Sequence, residues 1–324
     1  MAYTGTGAAL QIGKESAWGT AVTGTNNVNM LSESIKLNAD KKTEDTLIAS
    51  VAPANRLLMS LDVSGDFSGI LKPEFAGRLL HLALGGTDTV ATGSPVASAN
   101  THSIVAVGAS GTLPSFTAIV DRRASVLKYS GCKIDSFSLE GAAADYVKYT
   151  ASIKAKDQAS GSLASLSAFS LRSFKTVNAT LTMGGTTYAA KNVKLNIANK
   201  LEDVGQTYST GLYKGEPIHT TREITVDVDL NYEAAVDTLA TTNYETDTVL
   251  ATVVWTLLSP SMVTGSTPYT VTITMKNVVV TNVDRNVGGS GLLTAKVSGM
   301  ATSVSTDEPI TVAVIDGTAT AYSA

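Results

Sequence analysis

The chain contains one pattern twice, and this constrains its fold more than any other feature. Ser34-Ile-Lys-Leu-Asn-Ala-Asp-Lys-Lys-Thr-Glu-Asp45 lies over Asn192-Val-Lys-Leu-Asn-Ile-Ala-Asn-Lys-Leu-Glu-Asp203 without a gap. Six of the twelve positions are identical: Lys36/Lys194, Leu37/Leu195, Asn38/Asn196, Lys42/Lys200, Glu44/Glu202 and Asp45/Asp203. After a loop of different length the likeness resumes, with Leu61, Val63 and Phe67 over Ile224, Val226 and Leu230, and Asp66 over Asp229. Glu74, Ala76 and Leu80 then match Glu233, Ala235 and Leu239. A repeat that preserves the order of its elements marks a duplicated structural unit. A chain of 324 residues is long enough for two such units.

Each copy opens on a short alternating strand, apolar at Ile35, Leu37 and Ala39 or at Val193, Leu195 and Ile197. Long polar, Gly-containing and Pro-containing loops follow, at 41–56 and 199–221. Next come strands over 59–67 and 222–230, apolar at every second position, with Asp62 and Asp66, or Asp227 and Asp229, on the other face. Pro73 and Glu74 open a helix that Gly85-Gly86 stops, and a shorter helix is expected over 232–240. Further β-like runs follow at 115–120, 132–140 and 146–156, then at 249–258, 269–275, 278–283 and 292–301. The charge-free stretch Gln158 to Leu171 reads as a linker. The expectation is a mainly β protein of two tandem β-sandwich units, each with one flanking α-helix. The boundaries are an N-terminal arm (1–30), a first unit (31–160), a linker (161–172), a second unit (173–305) and a C-terminal arm (306–324).

Catalysis has little to work with in this sequence. His81, His102 and His219 share no metal-ligand spacing and read as packing or surface residues. The single cysteine, Cys132, falls at the start of a strand and reads as a buried structural thiol. It cannot form an internal disulfide, which points to a reducing compartment. The pairs Gly85-Gly86, Gly184-Gly185 and Gly288-Gly289 lack phosphate-loop context and read as turns. No catalytic, cofactor or metal residues are assigned, and no enzymatic activity is expected. No leader with a basic start and an apolar core opens the sequence, and the longest apolar run, 249–258, is too short to span a bilayer as a helix.

Net charge excludes a grip on phosphates. Residues 30–160 carry 13 basic and 13 acidic side chains, and residues 170–310 carry 10 and 13. The paired aspartates Asp62/Asp66 and Asp227/Asp229 allow two readings, an ordinary solvated sheet face or the lining of a channel formed when copies join edge to edge. Lys36 and Lys194 share the polar phase of the neighbouring strand, so such a lining would be of mixed sign.

The segment Gln11-Ile-Gly-Lys-Glu-Ser-Ala-Trp-Gly-Thr20 resembles the N-terminal segment of the major tail (tail tube) proteins of long, non-contractile-tailed bacteriophages, at Gly13-Lys14-Glu15 and Trp18-Gly19-Thr20. Elsewhere the likeness is one of pattern, running through strand, long loop, strand and helix in both halves. The resemblance implies tail-tube domains of the half-barrel type, whose inner sheets close into a β-barrel on oligomerisation. Family rings hold six domains, so a duplicated chain implies a trimeric, pseudo-hexameric ring. It further implies a lumen lined by Asp62, Asp66, Asp227, Asp229, Lys36 and Lys194. Ring-to-ring contacts are implied at Lys42, Glu44, Asp45, Lys200, Glu202 and Asp203. Contacts of the N-terminal arm are implied at Lys14, Glu15 and Trp18. Lys36, Lys148 and Lys194 depart from a purely acidic lining. The implied partners are copies of the chain, tail terminator, tape measure and tail-tip proteins, and DNA passing through the lumen without specific binding; no membrane and no cofactor are implied. The implied setting is the virion tail, with synthesis in the host bacterial cytoplasm.

A second reading, a two-domain tail-tip, baseplate or adhesin-type binding protein, would need aromatic-rich exposed loops, whereas Trp18 and Trp255 lie outside the long repeat loops. Only 16% of residues are charged, against about 25% in ordinary soluble domains. Surfaces hidden against copies of the same chain would account for that shortage.

Overall fold

The computed structural model describes residues 3–44, 52, 55–285, 292–303 and 308–323. The chain is mainly β, an open β-sandwich with no closed barrel in the single chain among the described residues. Eight antiparallel strands form one continuous sheet. Their spatial order is Lys36–Glu44, Asn55–Ile70, Lys148–Ala155, Val126–Ala142, Ala190–Ala198, Glu223–Asn231, Thr294–Ala301 and Thr267–Asp284. The first four come from the first copy of the repeat and the last four from the second, in the same order. The alternation expected from sequence decides which face is buried: Val63, Phe67, Leu195, Ile197, Val226 and Val228 are all at most 4% exposed.

Most of the remaining strands form the second layer; Ser32–Glu33 extends the edge of the first sheet beside Asn55–Ile70, and Leu201–Glu202 pairs with Ile218–His219 in a loop. The far ends of Val126–Ala142 and Thr267–Asp284 leave the eight-stranded sheet and pair in the second layer with Phe116–Asp121 and Leu250–Thr264. The two runs expected at 269–275 and 278–283 are one strand, with Asn277 at φ 50° between them. The helix Pro73–Leu84 begins with proline in its first turn and ends at Gly85, whose left-handed φ of 77° lets its N–H cap the His81 carbonyl. It does more than flank the sheet. Ten of its twelve residues are buried, leaving Glu74 and Arg78 as the exceptions, because strands of both halves wall it in. The second helix is shorter, Ala234–Thr238, and continues as a π-helical turn, Leu239–Tyr244.

The segments expected as arms contribute strands to the chain's own sheets. Ala9–Lys14 pairs with Phe116–Asp121, and Ile310–Asp316 pairs with Asn100–Ala106 and with Thr267–Asp284. The linker region is also tied down. Asp157–Ser160 pairs with Val126–Ala142, Ala164 N–H donates to the Gln11 side chain, and Ser170 and Leu171 N–H groups donate to Glu74.

His102 lies in the strand Asn100–Ala106 and is fully buried. Its Nδ1 lies 2.9 Å from Asp88 Oδ2, and its Nε2 lies 2.8 Å from the Thr318 carbonyl and 3.3 Å from Asp316 Oδ1. Tyr322 stacks on the imidazole at 4.2 Å, donates its N–H to Asp88, and donates its hydroxyl to Asp316. Burial opposes the imidazolium, but hydrogen bonds to Asp316, Asp88 and Thr318 outweigh it and raise the His102 pKa to about 9. Burial likewise opposes ionisation of Asp316, and hydrogen bonds from His102, Tyr322 and Thr318 hold its carboxyl below the usual range.

The folded pKa of His102 lies above its unfolded value. Its contribution is therefore complete below pH 6.5 and lost as pH rises through about 9. Asp316 has the opposite sign, so its contribution is present above the ordinary carboxylate pKa and lost only as pH falls into the acid range. We expect unfolding free energy to fall by about 3 kcal/mol between pH 6.5 and 9.5. His102→Gln should flatten that slope in chemical denaturation series. An unchanged slope would contradict this account of the buried cluster.

Candidate functional site

The polar face of the eight-stranded sheet gathers all six residues proposed to line a channel. Lys36, Asp62, Asp66, Lys194, Asp227 and Asp229 occupy the phase opposite the buried apolar residues and are exposed or half-buried. They stand among short polar neighbours, including Asn38, Ser64, Ser138, Ser152, Asn196 and Ser298.

Strand register alternates the charges. Lys148 stands opposite Glu140, Glu140 opposite Lys194, and Lys194 opposite Asp227. Asp227 in turn accepts a hydrogen bond from Ser298. One row further along, Asp229 stands opposite Lys296, and Lys296 opposite Asp284. Opposite charges directly across strands favour the sheet and leave no cluster of one sign to hold a polyanion.

The sheet has two ends. Lys36–Glu44 pairs only with Asn55–Ile70 among the described residues. Its outward backbone groups follow from a single hydrogen bond on the far side of the adjoining strand. Leu61 donates its N–H to the Leu212 carbonyl, away from Lys36–Glu44. Leu61 stands opposite Ala39, so this is a non-hydrogen-bonded pair, and the Ala39 N–H and C=O also point away, into the open edge. At the other end, residues 279–283 have the strand Thr294–Ala301 on one side and no strand on the other among the described residues.

Between these ends lies the seam of the duplication. Val126–Ala142 pairs with Ala190–Ala198 from Ser136↔Ala198 to Ala142↔Asn192. The second copy of the repeated strand thus uses, inside the chain, the same edge that the first copy leaves open. Asn199 secures the seam, being fully buried and donating its side-chain amide to the carbonyls of Ala83 and Ile134. The side-chain pattern alone did not disclose this partnership, although the six identities in the repeat carried the signal.

Loops of both copies collect at one end of the strands. Lys42 and Glu44 are exposed at the end of their strand, and Glu44 accepts a hydrogen bond from Asn55. Asp45 lies outside the described residues. Lys200 pairs with Glu223 at 2.5 Å, and Glu202 is exposed in a two-residue strand opposite Ile218. Asp203 turns back to Lys154 and Lys214, at 3.1 and 2.9 Å, and Lys214 also reaches Asp62 at 3.6 Å. Burial opposes ionisation of Asp203, but the two lysines hold its carboxyl below the usual range. The loop of the second copy therefore lies against the first. Lys133, 1% exposed, anchors it through Glu216 and the Pro217 carbonyl.

The N-terminal residues expected to touch a neighbouring subunit are engaged by their own chain. Lys14 donates to the Ser323 carbonyl. Glu15 is 4% exposed and accepts hydrogen bonds from Thr117 Oγ1, Gly131 N and Gly19 N. Trp18 donates Nε1 to the Gly131 carbonyl, and the Lys156 ammonium lies 4.9 Å from its ring. The motif thus closes a turn and pins it to the sheet: its carboxylate takes up the Gly19 N–H of the turn and the Gly131 N–H of the strand Val126–Ala142.

Among the described residues no group of His, Cys, Asp and Glu is placed to hold a metal ion, and no helix is long and apolar enough to cross a membrane. Burial pushes the Cys132 thiol up, away from the reactive thiolate. The site is a charge-balanced polar sheet face of a β-sandwich, lying between two open ends among the described residues. A sequence model of the family described as phage tail tube protein matches residues 5–319, and the chain belongs to that family. Its place is the virion tail, as a structural part of the tube. No curated protein matches the chain.

Proposed function

We propose that three copies join their eight-stranded sheets end to end into a closed ring, and that stacked rings form a tube through which DNA passes. The observation that carries this reading is the seam between Val126–Ala142 and Ala190–Ala198. Residues 36–40 lie over residues 194–198 in the repeat, identical at Lys36/Lys194, Leu37/Leu195 and Asn38/Asn196, so the open edge of Lys36–Glu44 is matched to a partner like the one its copy already has. The open side of 279–283 on another chain supplies that partner.

In this reading the units 31–160 and 173–305 are the tube domains, and each chain stands for two of six. Three chains bring about twenty-four strands. At about 4.8 Å between strands and a tilt near 40°, the bore would be roughly 30–40 Å across after side chains are allowed for, wide enough for a DNA duplex. The lumen is then the face of Lys36, Asp62, Asp66, Lys194, Asp227 and Asp229, whose alternating signs let DNA slide without being held. Lys42, Glu44, Asp45, Lys200, Glu202 and Asp203 belong to the loop end that meets the next ring. Terminator, tape measure and tip proteins would meet the ends and interior of the finished tube, after synthesis in the host bacterial cytoplasm.

Electron microscopy of the purified chain tests the assembly. Hollow stacked rings are the expected result. A monodisperse monomer at every concentration, with no rings or tubes, would contradict it.

A further inference from the structure

The loop end of the sandwich carries an apolar tip with no charge of its own. Residues 204–213 contain no Asp, Glu, Lys or Arg, and Tyr208 stands fully exposed at 112%, with Leu212 at 40% and Val204 at 37%. An extended tyrosine kept in water at this cost points to a partner that buries it.

The opposite end carries an uncharged hollow. A cavity of about 230 Å³ opens where Val126–Ala142 ends and Ala190–Ala198 begins. Trp255, 2% exposed, and Leu181 line it together with Gly141 and Ala143, and Val177, 75% exposed, stands at its side. None of its lining residues is charged. It far exceeds the space of a single water, and Thr176, Thr180 and Tyr188 set polar groups among its apolar walls, which suits a tyrosine with its apolar ring and polar tip.

Tip and cavity cannot meet within one chain. The loop bearing Tyr208 leaves Ala190–Ala198 at its C-terminal end, and the cavity lies at the start of that strand. Nine residues at about 3.3 Å each put roughly 30 Å between the two ends. A key at one end and a lock at the other make a heterologous contact, which builds an open filament when successive copies are displaced along the strand direction. Neither surface holds a charge whose desolvation would oppose the contact.

The geometry points to Tyr208 of one chain seating in the Trp255-floored cavity of a second copy in the adjacent ring. This assignment rests on the stacked-ring reading above and names the contact that joins the rings. Tyr208→Ala should leave rings intact and raise the protein concentration needed for tubes about tenfold or more, because a buried aromatic anchor dominates such contacts. A chain carrying Tyr208→Cys and Val177→Cys, assembled at the raised concentration that loss of Tyr208 requires and then oxidised, should give a ladder of covalent multimers, while either single variant gives none. Cys132 is fully buried and does not compete. Rings that stack at the wild-type concentration without Tyr208, or tubes of the double variant that yield no ladder, would overturn the assignment and leave the ring reading standing. A chain that forms no rings would overturn both.

Discussion

Ala39→Pro should abolish ring and tube formation while leaving the single chain folded. Ala39 is exposed on the open edge strand and turns its N–H outward, since its cross-strand partner Leu61 donates in the opposite direction, to Leu212. Proline there removes one outward donor and no bond within the chain, so its cost to the monomer should stay within about 1 kcal/mol. The same change at Ile197, the matching residue of the second copy, should behave in the opposite way. Ile197 stands opposite Phe137 in the seam, and two residues on the Asn199 N–H donates to the Asp135 carbonyl, fixing the direction of that ladder. Ile197→Pro therefore breaks a bond inside the molecule and should cost about 3 kcal/mol or more. Sedimentation and thermal melting of the two variants separate the outcomes. Rings formed by Ala39→Pro would contradict the proposed edge.

Tyr149→Ala should cause a large loss of stability, about 3–5 kcal/mol. Tyr149 is 1% exposed, and its ring packs on Phe67, Phe75 and Phe137 with centroids 6.1, 5.7 and 6.4 Å away. Two neighbouring strands and the buried helix thus meet at one side chain, and the surrounding β-framework has little freedom to collapse into the cavity. Its hydroxyl donates to the Asn29 carbonyl at 2.6 Å, tying in the N-terminal segment. Tyr149→Phe removes only that bond and should cost about 1 kcal/mol. Urea titrations should show both as shifts in midpoint with an unchanged slope. Equal losses in the two variants would mean that the hydrogen bond, and not the aromatic packing, holds this junction.

The faces of the strands were legible because period-two alternation is a local property. Asp62 and Asp66 opposite Val63 and Phe67 could be read directly, and Asp227 and Asp229 repeated the message. The helix start at Pro73 and stop at Gly85 were equally local. What stayed hidden depended on partners far away in sequence. The strand Ile310–Asp316 alternates clearly, yet it lies outside the duplication, and its pairing with Asn100–Ala106 is set by backbone groups that carry no sequence signature. The buried role of His102 needs Asp88, Asp316, Thr318 and Tyr322, drawn from both ends of the chain. The burial of Glu15, which takes the Gly19 N–H of its own turn and the Gly131 N–H of a distant strand, was likewise a property of closure, which residue types alone do not reveal.

The repeat told more than the pattern of either half. It predicted two similar units, and the structure adds that the second unit's first strand already has a neighbour while the first unit's does not. That asymmetry turns a duplicated sequence into a claim about assembly. The most direct measurement is a high-resolution reconstruction of the assembled tube, read at the strand Lys36–Glu44. The account predicts that the Ala39 N–H and C=O are hydrogen-bonded to the Thr267–Asp284 strand of a neighbouring chain, with Lys36 and Asp62 facing the bore. An edge at Ala39 left open to solvent, or a ring held together by loops alone, would contradict it.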